Sequence, residues 1–402
     1  MIENFVIISD FSYVEGGASN IAIATAQELS IKFPNKKIHY FCGKGPADTR
    51  LDRDNIQIYC TNQKELKEDK FIGLFQGLWN FKSAKALRTL LNSLDDRRTM
   101  IHLHTWTKVL SPSIFNEIST KNNLVMTLHD YFALCPNGAF YNYKSTKICQ
   151  KKVGSLGCFF TNCDRNSYVE KIWRFLRNII QKKYIHQINN FIVLSNLSEQ
   201  VYKTDLKAKS YYKLTNPLMK TNKKRIEIEK NIKYAFIGRL DEEKGVLLLA
   251  DAIKGSNCEI IFIGDGKLKN LIRKILPNAI ITGWIDQNEI QYYLQDVKCL
   301  IFPSLWYETF GLTVIEAGSY GIPSIVSQES AASELISNYK TGLLFSSLDK
   351  KSLIEQINRF ENESFESLQK LSIQTNQIYN SNLFSLENYV QKLNQIYEEI
   401  MK

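Results

Sequence analysis

The chain has 402 residues, of which 44% are hydrophobic and 23% are charged. This composition excludes a disordered or collagen-like chain, and the length fits two domains of roughly 200 residues each. Lys and Arg number 51 against 41 Asp and Glu, and the excess is local, because residues 144–216 hold 14 basic and 4 acidic side chains. A local basic excess indicates an anionic partner: a nucleic acid, an anionic membrane or a phosphate-bearing substrate.

The first ten residues do not resemble a signal peptide, because no basic segment precedes their short apolar run. No window reaches the run of about 18 apolar residues that a membrane-spanning helix needs. The eight cysteines are too few for a disulfide scaffold in a chain of this length. We therefore expect a cytoplasmic protein with reduced thiols.

Short apolar runs alternate with helical periodicity along the chain. In the first half they predict strands at Phe5–Ser9, Lys37–Cys42, Asn55–Cys60, Thr99–His104, Leu124–His129 and Asn190–Ser195. A second series follows Asn216-Pro217, at Lys233–Gly238, Cys258–Gly264, Ala279–Gly283, Lys298–Pro303, Ile322–Ser327 and Thr341–Phe345. This alternation predicts two doubly wound α/β domains, 1–216 and 217–402, whose strand ends face a shared cleft. Residues 350–402 are predicted to be helical, and the last helix either caps the second domain or crosses back to the first.

Gly16-Gly17 lies between the first predicted strand and the helix predicted over Ala18–Lys32. Glycine at this turn leaves room for a phosphate beside the helix N-terminus. A strand-to-helix turn without a ligand is the alternative interpretation. Asp52-Arg53-Asp54 matches the Asp-x-Asp motif of a class of metal-dependent transferases. Because three-residue matches are common by chance, this match implies no catalytic metal.

His129-Asp130 ends a predicted strand and leads through Tyr131 into Cys135-Pro136. A carboxylate beside a histidine can orient the imidazole ring for chemistry. A histidine with a purely structural role is the alternative at such a position.

Four cysteines fall within one stretch that also contains Gly138, Gly154 and Gly157: Cys135, Cys149, Cys158 and Cys163. Four thiolates could form a tetrahedral structural zinc site, although no Cys-x-x-Cys spacing occurs. Free thiols and disulfides are the two alternatives.

Ser167–Ile188, within the basic stretch, is predicted to form an amphipathic helix with an apolar stripe at Ile172, Leu176, Ile180 and Tyr184. Cations and interfacial aromatics lie largely off that stripe and suit an anionic membrane surface: Lys171, Trp173, Arg174 and Arg177. A solvated helix whose apolar stripe packs on the domain is the alternative, and both can hold at once.

In the second half, Arg239 follows a predicted strand and Lys244 comes five residues later. Two cations at a strand end suit a diphosphate, because Arg binds phosphate through two N–H groups and Lys acts as a point charge. Two surface cations on a loop are the alternative. Gly264-Asp265-Gly266 ends the next strand as an ordinary tight turn, not as a G-x-G-x-x-G fingerprint, so nicotinamide dinucleotide binding is not supported.

Glu308 and Glu316 are separated by seven residues and follow the apolar run Leu300–Phe302. A helix that starts near Gly311 would place Glu308 on the preceding loop and Glu316 in the second turn. The free amides and dipole of its N-terminus bind phosphate, and carboxylates accept hydrogen bonds from sugar hydroxyls. The pattern therefore indicates a sugar nucleotide site, whereas the carboxylate spacing alone would more often be coincidence.

Arg239 with Lys244, the Gly264 turn and Glu308-x7-Glu316 resemble the donor site of retaining glycosyltransferases of the GT-B fold, family four. The resemblance runs from about residue 5 to residue 345 and is strongest in the second half. It implies two Rossmann-like domains, the first for the acceptor and the second for a nucleoside diphosphate sugar. It also implies a hexosyltransferase that needs no cofactor for catalysis.

The resemblance further implies individual roles. It implies that the donor diphosphate is bound by Arg239, Lys244, Gly17, Gly311 and Leu312. It implies that the nucleotide and its ribose are bound by Glu316, Trp284, Ile285 and Gly264. It implies that the donor sugar is bound by Glu308, Thr309 and Phe310. His129 and Glu308 are the candidate catalytic residues, and Gly16 lies on the acceptor side.

We therefore expect a sugar transferase of bacterial surface polysaccharide synthesis, such as O-antigen synthesis, acting on a lipid-diphosphate-linked saccharide. A UDP-sugar is favoured as donor, with a GDP-sugar as the alternative, and the enzyme would sit peripherally on the inner face of the cytoplasmic membrane. A same-fold epimerase or phosphorylase is the alternative activity. A nucleic-acid-binding protein is disfavoured, because no recognised nucleic-acid module accompanies the basic residues.

Overall fold

The computed structural model describes residues 2–65, 68, 70–207, 210–286 and 289–402. The strands in chain order are β1 Asn4–Phe11, β2 Lys37–Lys44, β3 Ile56–Cys60, β4 Thr99–Leu103, β5 Leu124–Thr127, β6 Tyr141–Asn142, β7 Lys147–Ile148, β8 Asn190–Val193, β9 Ser210–Lys213, β10 Lys233–Ile237, β11 Glu259–Ile263, β12 Ile280–Ile281, β13 Val297–Phe302, β14 Ser324–Ser327 and β15 Gly342–Phe345. The helices are α1 Gly17–Lys32, α2 Lys70–Gln76, α3 Phe81–Asn92, α4 Phe115–Ile118, α5 Leu156–Phe160, α6 Tyr168–Ile185, α7 Asn196–Lys203, α8 Val246–Ile253, α9 Lys269–Ile275, α10 Ile290–Leu294, α11 Leu312–Ser319, α12 Ser333–Tyr339, α13 Lys350–Glu361, α14 Phe365–Tyr379 and α15 Leu386–Ile400.

The chain divides into two compact units. Unit 1 holds residues 1–139, 150–219 and 386–402, and unit 2 holds residues 140–149 and 220–385. The predicted boundary after residue 216 lies near the division at 219/220, but two segments depart from a split at that single point. Residues 386–402 belong to unit 1, because α15 buries its apolar side in the core there. Residues 140–149 belong to unit 2.

Unit 1 is built on a seven-stranded sheet in the order β3-β2-β1-β4-β5-β8-β9, in which every pairing is parallel. The central strand β1 is buried from Phe5 onwards, as expected for a parallel strand that is covered on both faces. The strand order reverses between β1 and β4, so the carboxyl ends of these two strands open a ligand site of the doubly wound type. The edge strand β9 was not among the predicted strands, because its half-exposed residues form no continuous apolar run.

The last helix, α15, completes the core of unit 1. Tyr389, Val390, Leu393 and Tyr397 are each at most 4% exposed and lie in the same hydrophobic cluster as β1. Each fully buried apolar side chain of this size contributes roughly 1.5–3 kcal/mol to folding. The helix is therefore an integral part of unit 1.

Unit 2 is built on a six-stranded parallel sheet in the order β12-β11-β10-β13-β14-β15. The strand order reverses between β10 and β13, which places the loops after these two strands side by side at the carboxyl edge. The short antiparallel hairpin β6–β7 is grouped with this unit. Among the described residues, none of the helices has the length and apolar character needed to cross a bilayer.

Candidate functional site

The loops after β10 and β13 are pressed together at the carboxyl edge of unit 2. Gly245 has a φ of 70°, and a Cβ added to it would lie 1.9 Å from the carbonyl oxygen of Pro303. The backbone N–H of Leu305 also donates to the carbonyl oxygen of Glu243 at 2.9 Å. Only glycine allows this approach, and it sets Lys244 directly against the second loop.

Lys244 and Glu308 form an ion pair in this position. The Nζ of Lys244 lies 2.5 Å from the Oε1 of Glu308, and the hydroxyl of Ser304 donates to the same oxygen at 2.5 Å. Both side chains are largely shielded from solvent, and the ammonium lies 5.2 Å from the ring centroid of Trp306. Glu308 has a φ of 49°, which is uncommon for a residue with a side chain and is maintained here by these contacts.

Arg239 lies beside this pair, with its side chain 56% exposed. Its guanidinium donates to the carboxylates of Asp241 at 3.0 Å and Glu243 at 2.7 Å. Both carboxylates are buried, so they fix the orientation of the guanidinium. An exposed, pre-oriented guanidinium suits an anionic ligand at this edge.

The helix that follows Glu308 begins at Leu312 and is preceded by Gly311, whose φ is 142°. No side chain caps it, so the amides of Leu312 and Thr313 have no partner within the helix, whereas the N–H of Val314 donates to the carbonyl oxygen of Gly311 at 3.0 Å. The side chains of Thr309 and Phe310 are buried. Phe310 can therefore contact a ligand only through its main chain. Glu316 lies in the second turn and is half-buried.

A third turn lies next to these loops. Gly264 has a φ of 146°, and a Cβ there would lie 2.0 Å from the carbonyl oxygen of Gly238. Gly264 also pairs with Gly283, which places Trp284 beside the turn with 79% of its surface exposed. Ile285 is half-buried. An exposed indole beside two glycine turns offers a flat apolar surface to a ligand.

Two features of unit 2 escaped the sequence reasoning. Thr313, in the first turn of α11, has a buried hydroxyl with no hydrogen-bond partner. The β6–β7 hairpin packs on the site loops, with the rings of Phe140 and Tyr307 at 6.5 Å. Burial and the neighbouring carboxylates of Glu243 and Glu242 raise the pKa of Tyr141 on this hairpin. The hairpin is distant in sequence from the loops after β10 and β13. No local sequence pattern therefore predicts that it packs against them.

In unit 1, Gly16 and Gly17 begin α1 at the carboxyl end of β1, and the hydroxyl of Ser19 accepts from the backbone N–H of Gly16 at 3.2 Å. Asp10 of β1 is also buried there. Its carboxylate accepts from the backbone N–H groups of residues 108–110 at 2.9–3.0 Å. Burial nevertheless raises the pKa of Asp10. The sequence reasoning missed this residue, although an acid ending an apolar strand is a recognisable signal.

His129 follows β5 and is half-buried. Its Nε2 lies 3.0 Å from the Nδ1 of His104, which follows the neighbouring strand β4. Burial lowers the pKa of His129 to about 3, so its ring is neutral at pH 7. Asp130 accepts from the backbone N–H of Phe132 at 2.9 Å, and burial raises the pKa of this carboxyl to about 6. The ring partner that the structure gives His129 is thus a second histidine.

The helix α6 presents the opposite face from the one predicted. Lys171 and Arg177 are buried, and the guanidinium of Arg177 lies 5.2 Å from the rings of Phe132 and Trp173. The helix exposes apolar side chains instead, at Val169, Leu176 and Ile179. The prediction that Lys171 and Arg177 face a membrane is therefore wrong.

The remaining two residues of that prediction are also held by the fold. Arg174 pairs with Asp164 at 3.5 Å and with Glu170 at 3.4 Å. The indole N–H of Trp173 donates to the carbonyl oxygen of Leu74 at 2.9 Å. Inward cations are tolerated in α6 because each one finds a carboxylate, a carbonyl, a ring or a sulfur atom.

All eight cysteines are free thiols. Lys171 lies with its Nζ 3.5 Å from the Sγ of Cys158, and Asn137 contacts both Cys135 and Cys163 at 3.1 and 3.6 Å. Cys149 lies in the β6–β7 segment of unit 2. Within the described ranges, no group of three or more His, Cys, Asp or Glu side chains is placed to hold a metal ion. The arrangement that the zinc hypothesis required is therefore not found in that part of the chain.

Two doubly wound parallel sheets, each with a strand reversal that opens a ligand site, define the GT-B class of glycosyltransferase fold. A solved structure with this fold, sucrose-phosphate synthase from Thermosynechococcus elongatus, matches with a TM-score of 0.70 and 17% identity, covering 99% of each chain. The fold predicted from the sequence is confirmed.

Residues 219–377 match the family described as glycosyl transferases group 1. The match lies in the second half of the chain, where the resemblance is strongest, and supports a glycosyltransferase, as the resemblance implied.

Three curated relatives are similar to the chain. An uncharacterised 41.2 kDa protein in the cps region of Klebsiella pneumoniae is 28% identical over 68% of this chain and 78% of its own length. A GDP-mannose-dependent alpha-mannosyltransferase of Corynebacterium glutamicum is 31% identical over 29% of this chain and 28% of its own length. A UDP-Gal:alpha-D-GlcNAc-diphosphoundecaprenol alpha-1,3-galactosyltransferase of Escherichia coli is 26% identical over 42% of this chain and 46% of its own length. The last two matches thus span less than half of each relative.

Proposed function

We propose that the protein transfers a sugar from a nucleoside diphosphate sugar to a saccharide hydroxyl, with retention of the anomeric configuration. The acceptor is a saccharide linked to a lipid diphosphate, in the assembly of a bacterial surface polysaccharide. The observation that carries the proposal is the Lys244–Glu308 ion pair beside the uncapped N-terminus of α11.

The geometry of unit 2 supports a role for each group. The exposed guanidinium of Arg239, the ammonium of Lys244 and the free amides of α11 supply positive charge for a diphosphate. Glu308 accepts a hydrogen bond from a sugar hydroxyl, and Glu316 accepts one from the ribose. The exposed indole of Trp284 covers the base. The reaction breaks the bond from the anomeric carbon to the diphosphate and forms one to the acceptor oxygen on the same face. The departing diphosphate takes the acceptor proton.

The donor is proposed to be a UDP-sugar, with a GDP-sugar as the competing candidate. One relative's name contains UDP-galactose and another's contains GDP-mannose. A thermal-shift screen of UDP- and GDP-sugars decides between them, followed by mass detection of the transferred sugar. Stabilisation by GDP-sugars alone would overturn the UDP assignment.

The lipid-linked acceptor is supported by apolar side chains that are exposed on α2, α3, α5 and α6 of unit 1, which together we call the exposed apolar face. It consists of Leu74, Phe75, Phe81, Leu156, Phe160, Val169, Leu176 and Ile179. Three of its helices are in contact, because the indole N–H of Trp173 of α6 donates to the carbonyl oxygen of Leu74 of α2, and the ring of Phe159 of α5 lies 5.1 Å from that of Phe175 of α6. Exposed lysines flank it, at Lys82, Lys151, Lys152, Lys182 and Lys183. Apolar side chains rimmed by cations suit a bilayer that contains anionic lipid.

The site assignment is tested by Glu308→Gln in the purified protein. The neutral amide keeps the shape of the side chain but removes the charge that pairs with Lys244. We expect the transfer rate to fall at least about 100-fold, as when a group aimed at the reacting centre is lost. Glu366→Gln, at an exposed position on α14, is the matched control. Near wild-type transfer by Glu308→Gln, at an unchanged melting temperature, would contradict the proposal.

A further inference from the structure

Two cysteines lie side by side near the edge of the sheet of unit 1. Cys42 of β2 and Cys60 of β3 are register partners in this parallel pair, so their side chains point to the same face of the sheet. Neighbouring strands lie about 4.8 Å apart, and disulfides join Cα atoms that are about 4.4–6.8 Å apart. The strand β3 is the edge strand, so it can shift toward β2 without displacing another strand. The backbone therefore meets the main requirement for a disulfide.

The two thiols differ in their access to solvent. Cys42 is fully buried in the hydrophobic cluster that contains residues of β1. Cys60 is half-buried and packs against the same cluster from the edge. A small reagent in solution can therefore reach Cys60, whereas Cys42 is open only to a sulfur atom beside it.

The two thiols also differ in their protonation. A hydrogen bond from the Cys42 thiol, the backbone N–H of Asn62 and the charge of Lys82 lower the pKa of Cys60 to about 6, against the opposing effect of burial. The same hydrogen bond and burial raise the pKa of Cys42. When Cys60 is protonated, its thiol donates to the Oδ1 of Asn62 at 3.0 Å. Cys60 is therefore mainly a thiolate at pH 7, which is the nucleophilic form of cysteine.

We propose that Cys42 and Cys60 form a peroxide-sensitive dithiol site, in which Cys60 reacts first and Cys42 then closes a disulfide. The Cys60 thiolate attacks one oxygen of hydrogen peroxide, the O–O bond breaks, and the departing hydroxide takes a proton to become water. Cys60 is then a sulfenic acid. The Cys42 sulfur attacks the Cys60 sulfur, the S–O bond breaks, and the hydroxide leaves as water with the Cys42 proton. Two thiols and one peroxide thus give one disulfide and two waters.

The reactivity of Cys60 is tested by alkylating the reduced full chain with iodoacetamide at pH 7 and following each cysteine by peptide mass spectrometry. Cys258 of unit 2 is a matched internal control, because it is also half-buried but burial raises its pKa. Since the thiolate is the reacting form, we expect Cys60 to be alkylated at least about tenfold faster than Cys258. Equal rates for the two residues would overturn the role of Cys60 as the thiol that reacts first.

The pairing is tested by treating the reduced full chain with hydrogen peroxide, blocking the remaining thiols and mapping the peptides. We expect a peptide joined through Cys42 and Cys60, and a chain lighter by two hydrogen atoms. Cys42→Ala should instead retain a sulfenic acid at Cys60, which dimedone traps. Cys258→Ser is the control variant and should form the disulfide as the wild type does.

A sulfenic or sulfinic acid at Cys60 of the wild type, without the disulfide, would overturn the role of Cys42. A disulfide from Cys60 to a different cysteine would overturn the pairing. If Cys42→Ala does not fold, the wild-type peptide map and the alkylation rates still decide the question. None of these measurements uses sugar transfer, so the dithiol site stands or falls independently of the proposed function.

Discussion

Burial of the Asp130 carboxyl group destabilises the native state when that group is ionised. Its pKa is raised to about 6 by burial, against about 3.9 in an unfolded chain. The native state therefore binds a proton more tightly than the unfolded state does. This advantage is complete below about pH 4 and is lost as the pH rises through 6, so this group lowers the free energy of unfolding above that pH.

We expect Asp130→Asn to stabilise the protein at pH 7.5 by up to about 3 kcal/mol and to have little effect at pH 4. The amide removes the charge but keeps an oxygen for the N–H of Phe132. Thermal unfolding at the two pH values measures the difference, with Asp251→Asn at an exposed position as the control. An equal change at both pH values would show that ionisation of Asp130 is not the cause.

Some site residues could be predicted from the sequence because short segments fix them. Arg239 and Lys244 share one loop after a strand, and the glycine before α11 marks its start. The partnership of His104 with His129 could not be predicted, since it depends on the order and register of two strands. The burial of Lys171 was equally hidden, because its cysteine neighbour Cys158 lies outside α6.

The helix α6 shows where periodicity is insufficient at the scale of an element. The alternation of polar and apolar residues predicted the helix, and the helix spans Tyr168–Ile185. The pattern did not determine which face turns inward, because that depends on the partners the interior offers. Phe132 and the carbonyl of Thr107 supply them for Arg177. The apolar stripe is thereby left partly at the surface.

The packing of α15 in unit 1 can be tested directly by a substitution in this helix. Leu393 is fully buried among residues of α1 and β1. We expect Leu393→Ala to lower the free energy of unfolding by about 2–5 kcal/mol, because it removes buried methyl groups and leaves a cavity. Chemical denaturation measures the change, and Gln391→Ala on the exposed side of the same helix is the control. A loss below about 0.5 kcal/mol, the usual range for surface positions, would contradict the packing.

At the scale of the whole molecule, the basic side chains of residues 144–216 fall into two groups. Some are buried inside unit 1, as are Lys171 and Arg177. Exposed lysines remain around the exposed apolar face. The net charge therefore pointed correctly to a distinctive region, but it did not distinguish the cations that hold the fold from those that can meet a partner.

We expect the purified protein to float with vesicles that contain anionic lipid. Leu176→Glu combined with Ile179→Glu should abolish flotation, because it places two charges in the exposed apolar face. Ile232→Glu is the matched control, since Ile232 is an exposed apolar residue of unit 2. Binding should weaken with added salt, because screening removes the attraction of the lysines. Equal flotation of the double variant and the control would contradict this surface.

The assignment of residues 386–402 to unit 1 has a consequence for biosynthesis. The strands of unit 1 are translated before those of unit 2, but their hydrophobic cluster lacks α15 until residues 386–400 have been translated. Unit 2 is complete at residue 385, before that helix is made. We infer that the core of unit 1, although most of its strands are translated before unit 2, closes only after unit 2 has been translated.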